Sequence, residues 1–168
     1  MRSPRGALWS RQVADHLSVR GRSRVMAAIR AKNTKPELTV RNGLRAIGAT
    51  GYRLHLRSLP GKPDVAFTRW RVAVFVDGAF WHGHPEHFKP ATAAPYWREK
   101  IARTQERDRA ADRALSAEGW TVVRCWDFEV KADPAQAVER VVDALVAAGW
   151  RPSVSRHGAG QSPDPSFQ

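Results

Sequence analysis

The chain has 168 residues, of which 42% are hydrophobic and 26% are charged, a composition that suits one globular domain with tails and excludes a disordered chain. Its one cysteine, Cys125, excludes an intrachain disulfide and indicates a reducing, cytoplasmic location. No apolar run approaches the roughly 20 residues of a membrane span, and the formal net charge of +12 favours a polyanionic partner.

The positive charge is concentrated at the N-terminus, where residues 1–35 carry nine Lys or Arg and one acid, Asp15. Such an arm is typical of nucleic-acid-binding proteins, and a solvated tail kept for solubility is the alternative. Charge alone does not separate DNA from RNA. We interpret residues 1–18 as a flexible basic arm, residues 19–150 as the domain and residues 151–168, rich in Gly, Ser and Pro, as a disordered tail.

Two helices are expected at the start of the domain. The first covers about residues 22–30. The second begins with a capping-box pattern, in which Thr34 is followed three residues later by Glu37, and Gly48 can end it. Its partial apolar stripe comprises Leu38, Leu44 and Ile47.

The rest of the domain alternates between strand and helix signals. Alternating and apolar runs predict strands at residues 52–57, 64–68, 71–76 and 121–126. A long helix over 96–118, with a solvated, salt-bridged face, connects the last two strands, which indicates a parallel crossover. A last helix starts at Asp133. The order αα-βββ-α-β-α predicts a single α/β domain with a central mixed sheet flanked by helices.

Two aspartates mark the same end of the predicted sheet. Asp64 begins one strand after a Gly-Pro turn, and Asp77 ends the next strand. A turn aspartate is the ordinary interpretation of either residue alone. Two carboxylates that lie close together repel unless a cation joins them, and oxygen ligands suit Mg²⁺. On a basic protein, the pair favours metal-assisted phosphodiester hydrolysis.

The long loop over residues 77–94 is rich in histidines and aromatics, which indicates a functional segment. His82 is a candidate general base for water. His84 and His87 allow a zinc interpretation, although no cysteine is nearby in the sequence to complete a tetrahedron. Phe80 and Trp81 stand in a polar loop, so we expect them to be exposed and able to wedge into DNA.

Four runs in this chain, within about residues 20–148, resemble very short patch repair endonucleases in order and spacing: LPGKPDVAF, VFVDGAFWHGH, YWREKIARTQERDRAADRAL and GWTVVRCWDFE. The resemblance implies a restriction-endonuclease-like fold, a variant of the PD-(D/E)xK type. It implies Mg²⁺-dependent nicking 5′ to the T of T·G mismatches that arise by deamination of 5-methylcytosine. We therefore expect a monomeric, nucleoid-associated protein with T·G-mismatched double-stranded DNA as substrate, mismatch-repair proteins as further partners and no membrane contact.

The resemblance also implies roles for particular residues. Asp64 would be the main metal-binding carboxylate, and the backbone carbonyl of Val76 a second ligand. His82 would be the catalytic base, supported by Glu37. Asp77 would either bind the metal directly or orient water, since family members differ at this position.

The same resemblance implies a set of DNA contacts. Aromatic side chains would wedge beside the mismatch, and Met26 would enter from the other groove. Together with two arginines of the basic segment, the expected DNA-binding residues are Met26, Phe80, Trp81, Trp97, Arg22 and Arg24.

The structural zinc of the family is expected to be lost here. Its ligands would lie at the positions of Ala79, His84, Glu86 or His87, and Phe128, and neither Ala79 nor Phe128 can bind a metal. His84 and His87 would be remnants of the site, and Phe128 would fill the gap with an apolar contact.

Two other functions remain open from the sequence. One is a restriction-type nuclease that keeps the core and reads other DNA. The other is a catalytically weakened DNA-binding protein, against which the intact Asp64 and His82 argue.

Overall fold

In the part of the chain that the structure describes, the sheet contains four strands, and each strand lies beside the one that follows it in the sequence. The computed structural model describes residues 32–152. Its strands are Arg53–Leu54 (β1), Val65–Phe67 (β2), Val72–Asp77 (β3) and Thr121–Trp126 (β4). Its helices are Lys35–Ala46 (α1), Pro95–Ala117 (α2), Asp127–Ala132 (α3) and Pro134–Ala147 (α4), with a short 3₁₀ helix at Pro90–Thr92. The predicted basic arm, the helix over 22–30 and the tail beyond residue 152 lie outside the described residues, as do Arg22, Arg24 and Met26.

The sheet is mixed, as the sequence predicts. β1 pairs with β2 and β2 with β3 in antiparallel fashion, whereas β3 and β4 are parallel. A parallel neighbour requires a crossover, and α2 supplies it. β3 therefore lies between β2 and β4, which explains why its sequence is apolar on both faces.

Both faces of β3 are covered. On one face Val72 and Val74 join the main core, which α1 and α4 complete. On the other face Ala73 and Phe75 pack with Leu115 of α2. Successive residues of β3 thus point to opposite faces of the sheet, as the two-residue repeat of a strand requires.

Helix α1 begins as predicted, with a complete capping box between Thr34 and Glu37. The predicted apolar stripe is wrong at two of its three positions, because Leu38 is 38% and Ile47 40% exposed, whereas Leu44 is buried. The face that packs inward instead comprises Pro36, Glu37, Val40, Arg41 and Leu44. A charged Glu37 on a buried face is consistent with a role beyond capping.

Two elements differ from the sequence prediction. The strand expected over 52–57 is paired only at Arg53–Leu54, because His55 adopts a left-handed conformation with φ of 47° that ends the ladder. The short helix α3 was not predicted, since six residues are too few to show a helical period. In the described part of the chain, no helix has the length and apolar character needed to cross a membrane.

Candidate active site

Asp64 and Asp77 lie at the same end of the sheet, as predicted. The antiparallel register pairs Val65 with Val74, which brings Asp64 beside the last residues of β3. The Asp64 carboxylate fixes this edge by accepting a hydrogen bond at 2.8 Å from the backbone N–H of Val76 to Oδ2.

Three side chains converge around Asp64, and we call Glu37, His55 and Asp64 the Asp64 cluster. One ligand atom from each lies within 4.8 Å of the other two. His55 Nδ1 is 3.5 Å from Asp64 Oδ1, and His55 Nε2 is 3.8 Å from Glu37 Oε2. These separations exceed ordinary hydrogen bonds. His55 Nε2 is buried and has no hydrogen-bond partner among the described residues.

The electrostatics of the Asp64 cluster favour binding of a cation. Burial raises the pKa of Asp64 to about 7, and the negative charges of Glu37 and Asp77 act in the same direction, against the hydrogen bond from Val76. Burial also lowers the pKa of His55, so its ring does not supply a compensating positive charge at neutral pH. Two carboxylates and a neutral imidazole are a donor set that fits a divalent cation.

A second group, which we call the His82 cluster, comprises Asp77, His82, Asp108 and Arg124. His82 Nδ1 lies 2.7 Å from Asp108 Oδ2 and 3.6 Å from Asp77 Oδ1. Arg124 donates from Nη1 to Asp77 Oδ2 at 2.6 Å and from Nη2 to Asp112 at 2.8 Å. Asp77 is therefore held between a guanidinium group and an imidazole ring.

The His82 cluster stabilises a protonated imidazole. Burial disfavours the charge, but the hydrogen bond to Asp108 and the negative charge of Asp77 outweigh it and raise the pKa of His82. Asp108 stays ionised, because its own pKa is lowered by His82 and Arg124 despite partial burial. An ionised Asp108 accepts the proton on Nδ1, which leaves Nε2 of a neutral His82 as the basic nitrogen.

The loop around His82 is held by helix α2. Gln105 Nε2 donates to the backbone carbonyls of His82 at 3.4 Å and Gly83 at 3.2 Å. Gly83 has φ of 70°, and a Cβ there would lie only 2.7 Å from Ile101 Cγ2. The residue after His82 must therefore be a glycine for the loop to sit this close to α2.

The structure divides the predicted catalytic residues between the two clusters. Among the described residues, Asp77 forms its ion pairs with Arg124 and His82, so the cation beside it is a protein side chain and need not be a metal shared with Asp64. Glu37, expected beside His82, makes its described contacts with Asn33, Thr34 and His55.

The expectation that Phe80 and Trp81 are exposed is wrong. Both are half-buried, and Trp97 is only 4% exposed. The three rings pack edge to face, with centroid distances of 4.9 Å for Phe80–Trp81, 5.8 Å for Phe80–Trp97 and 5.6 Å for Trp81–Trp97. Phe88 and Ile101 complete this satellite core. The first turns of α2 fold back over the loop, which is why a polar-looking segment buries aromatics.

At the positions of the family's zinc ligands, apolar residues interrupt the donor set. Ala79 is buried, and the Phe128 ring lies 5.0 Å from the ring of His84 and 4.5 Å from that of His87. His84, Glu86 and His87 bring three ligand atoms within 4.8 Å of one another. Three donors are one fewer than a closed structural zinc site uses, so these residues do not fit that site. The loss of zinc stays a prediction.

Sequence reasoning missed His55, Asp108 and Arg124. A signal existed for Asp108, because it stands seven residues after Ile101 and seven before Leu115, both buried, and so belongs to the inward stripe of α2. A carboxylate in such a stripe needs a partner inside the protein. His55 carried no comparable signal, since its position depends on the early end of β1.

Comparisons with known proteins agree with this geometry. The family model described as DNA mismatch endonuclease Vsr matches residues 14–87. The type II nicking enzyme V.XorIIP of Xanthomonas oryzae pv. oryzae is 42% identical over 120 residues, covering 70% of this chain and 88% of that relative. V.NaeI of Lentzea aerocolonigenes, also a type II nicking enzyme, is 44% identical over 133 residues, covering 74% of this chain and 76% of that relative. The DNA mismatch endonuclease Vsr of Escherichia coli K12 is 34% identical over 126 residues, covering 74% of this chain and 80% of that relative.

The fold is a mixed sheet with helices on both faces, and acidic and histidine clusters lie at one end of that sheet. Together with these similarities, it defines a DNA endonuclease of restriction-endonuclease-like fold. The chain belongs to the DNA mismatch endonuclease Vsr family, because it covers at least 76% of each of these three relatives. The resemblance inferred from the sequence is thereby confirmed.

Proposed function

We propose that this protein is a Mg²⁺-dependent endonuclease of very short patch repair, which nicks one strand 5′ to the T of a T·G mismatch left by deamination of 5-methylcytosine. The observation that carries the proposal is the pairing of two unlike clusters at one sheet end. One offers cation ligands, and the other holds a histidine whose Nδ1 is bound by Asp108 and whose Nε2 has no hydrogen bond within the described part of the chain. The names of the relatives, which include mismatch endonuclease and nicking enzyme, support the same activity.

Asp64 is the proposed centre of cation binding, with the backbone carbonyl of Val76 as a further ligand. The N–H of Val76 orients the carboxylate by binding Oδ2, which leaves Oδ1 to face His55. A bound Mg²⁺ supplies charge stabilisation at the scissile phosphate. Glu37 contributes a second carboxylate to the same cluster, from the first turn of α1.

His82 is the proposed general base. Asp108 binds Nδ1 and so fixes both the tautomer and the orientation of the ring, and Nε2 takes a proton from the attacking water. Asp77 and Arg124 act as positioning residues, because Asp77 contacts the same ring and is itself held by the guanidinium.

Recognition of the mismatch is assigned to the aromatic cluster and the basic arm. Phe80 and Trp81 are the half-buried rings and are proposed to enter the base step, with Trp97 supporting them from the core. Met26, Arg22 and Arg24 remain the proposed contacts of the N-terminal segment. Mismatch-repair proteins and a monomeric state remain part of this proposal.

The direct test compares four duplexes of one sequence that differ only at a central pair: T·G, T·A, C·G and an A·C mismatch. With Mg²⁺, we expect a single nick 5′ to the T in the T·G duplex and much slower cleavage of the others. Cleavage of both strands of the paired duplexes would instead support a restriction-type nuclease. Tight DNA binding without cleavage of any duplex would support a DNA-binding protein.

A further inference from the structure

We propose that His55 is a direct nitrogen ligand of the divalent cation, so that the cation site of this protein is formed by Glu37, His55 and Asp64. The proposal rests on the proposed function for the location of the site and deepens it by adding an imidazole to a set of oxygen ligands. Neither the family resemblance nor the carboxylate pattern assigned His55 any role.

The position of the imidazole is the first support. His55 Nε2 is buried without a hydrogen-bond partner among the described residues, and a ring nitrogen is seldom left in that state. The ring lies between two carboxylates but is too far from either for a hydrogen bond, at 3.5 Å from Asp64 and 3.8 Å from Glu37. Ligands lie about 2.0–2.6 Å from a bound cation, so two ligands of one ion lie up to about 4–5 Å apart. The three side chains meet that limit at 4.8 Å.

The backbone is the second support. Leu54 pairs with Val65, and the N–H of His55 donates to the carbonyl of Asp64 at 3.3 Å, so these two residues lie opposite each other just beyond the end of the β1–β2 ladder. At φ of 47°, His55 adopts a conformation that a non-glycine residue rarely takes. Its side chain is nevertheless 85% buried against the carboxylates, at 15% exposure. An unfavourable backbone that brings a side chain to a cluster of ligands is typical of functional sites.

The carboxylate of Glu37 is also able to take part. Its Oε1 accepts hydrogen bonds from Thr34, and its Oε2 accepts one from the N–H of Asn33 at 2.8 Å. A carboxylate oxygen has two lone pairs, so Oε2, the atom that faces His55, keeps one of them. The capping box therefore orients Glu37 and leaves Oε2 able to bind a cation.

An imidazole ligand changes which cations bind well. Nitrogen ligands strengthen binding of Mn²⁺ and Co²⁺ and contribute little to Mg²⁺, which prefers oxygen. The discriminating quantity is therefore the change in the ratio of Mn²⁺ to Mg²⁺ affinity when the imidazole is removed.

The test measures cation binding by the full chain without DNA. Mn²⁺ bound to the wild type is expected to show hyperfine coupling to an imidazole nitrogen in pulsed electron paramagnetic resonance, and the coupling should change on selective ¹⁵N labelling of histidine. His55→Gln should abolish it and weaken Mn²⁺ binding by about tenfold or more, with at most about a threefold change for Mg²⁺. Because His84 and His87 also bring donors together, the double variant His84→Asn/His87→Asn is the matched control and should keep the Asp64-cluster signal.

Several outcomes would overturn the assignment. The first is a coupling that persists in His55→Gln, and the second is a coupling that disappears only in the double variant. The third is an equal fall in the affinities for Mn²⁺ and Mg²⁺, which would mean that His55 only positions Asp64. If His55→Gln does not fold, Asp64→Asn in the double-variant background provides the second test. It should lose the signal, and persistence of the coupling would contradict the site. If the protein does not nick the T·G duplex but the coupling is intact, the proposed function is contradicted and the assignment of His55 as a ligand is still supported.

Discussion

Asp64 and Asp77 are the same residue type at the same end of the sheet, and their surroundings differ. Asp77 is 4% exposed and lies 2.6 Å from the guanidinium of Arg124. Within the described residues, the basic side chain beside Asp64 is His55, and its lowered pKa keeps the ring neutral at neutral pH. Burial raises the pKa of both carboxyls, and the shift is large enough at Asp64 to reach about 7. The protein thus supplies a positively charged partner to Asp77 and, within the described residues, none to Asp64.

The largest effect should come from removing the carboxylate that lacks a protein cation. Asp64→Ala is expected to lower nicking of the T·G duplex by about a thousandfold or more, because cation binding loses its central ligand. Binding of the same duplex should change little. Rates from single-turnover assays and affinities from fluorescence anisotropy separate the two effects. Near wild-type nicking by this variant would show that the active site lies elsewhere.

The next effect concerns the other cluster. His82→Ala is expected to reduce nicking by about 100-fold or more, the usual contribution of a positioned general base. Cation binding should be unaffected, since His82 is outside the Asp64 cluster. A variant that nicks normally, or one that loses Mg²⁺ affinity together with activity, would contradict the division between the clusters.

Asp108→Asn should have a smaller effect on rate and a distinct effect on pH dependence. In the wild type, nicking should decline as the pH falls through the pKa of His82, which Asp108 and Asp77 hold above its ordinary value. Loss of the Asp108 charge lowers that pKa, so the acid limb should move to lower pH, with about a tenfold lower rate on the plateau. Asp112→Asn, which removes a partner of Arg124 that has no described contact with His82, is the matched control and should keep the wild-type limb.

Trp81→Ala tests the aromatic cluster. It should reduce nicking of the T·G duplex by about tenfold if the ring contributes about 1.4 kcal/mol to the transition state. It should also narrow the preference for T·G over T·A, because a wedge opens the weaker pair more easily. Trp81 is half-buried, so the melting temperature must be measured alongside. A destabilised variant with an unchanged T·G/T·A ratio would indicate a packing role alone.

The last effect is on stability and not on the rate of nicking. The folded pKa of Asp64 lies above its ordinary value, so its ionisation destabilises the fold progressively as pH rises from about 4 to about 7. Without divalent cations, Asp64→Asn should therefore be more stable than the wild type at pH 8, by up to about 4 kcal/mol, and nearly equal to it at pH 4. Asp77→Asn should show a smaller gain, because the charge of Arg124 and its hydrogen bond offset part of the burial that raises the pKa of Asp77. If denaturant titrations at pH 8 showed the same gain in unfolding free energy for both variants, the proposed difference between Asp64 and Asp77 would be contradicted.

Local patterns in the sequence predicted the framework and half of the site. The apolar run of β3, the turn before Asp64 and the parallel crossover each follow from neighbouring residues, and they locate the two aspartates at one edge. Arg124 was not predicted, because it reaches Asp77 only through the register of β4 against β3. His55 likewise depends on a left-handed residue that no propensity indicates. The burial of Trp97 depends on α2 folding back over the loop.

The most direct test of the central claim is the shift in melting temperature produced by Mg²⁺ at pH 8 in the absence of DNA. We expect Mg²⁺ to stabilise the wild type and Asp77→Asn to similar extents, and to have no effect on Asp64→Asn, since a ligand stabilises only the state that binds it. An undiminished shift in Asp64→Asn, or its loss in Asp77→Asn alone, would contradict the assignment of the cation to Asp64.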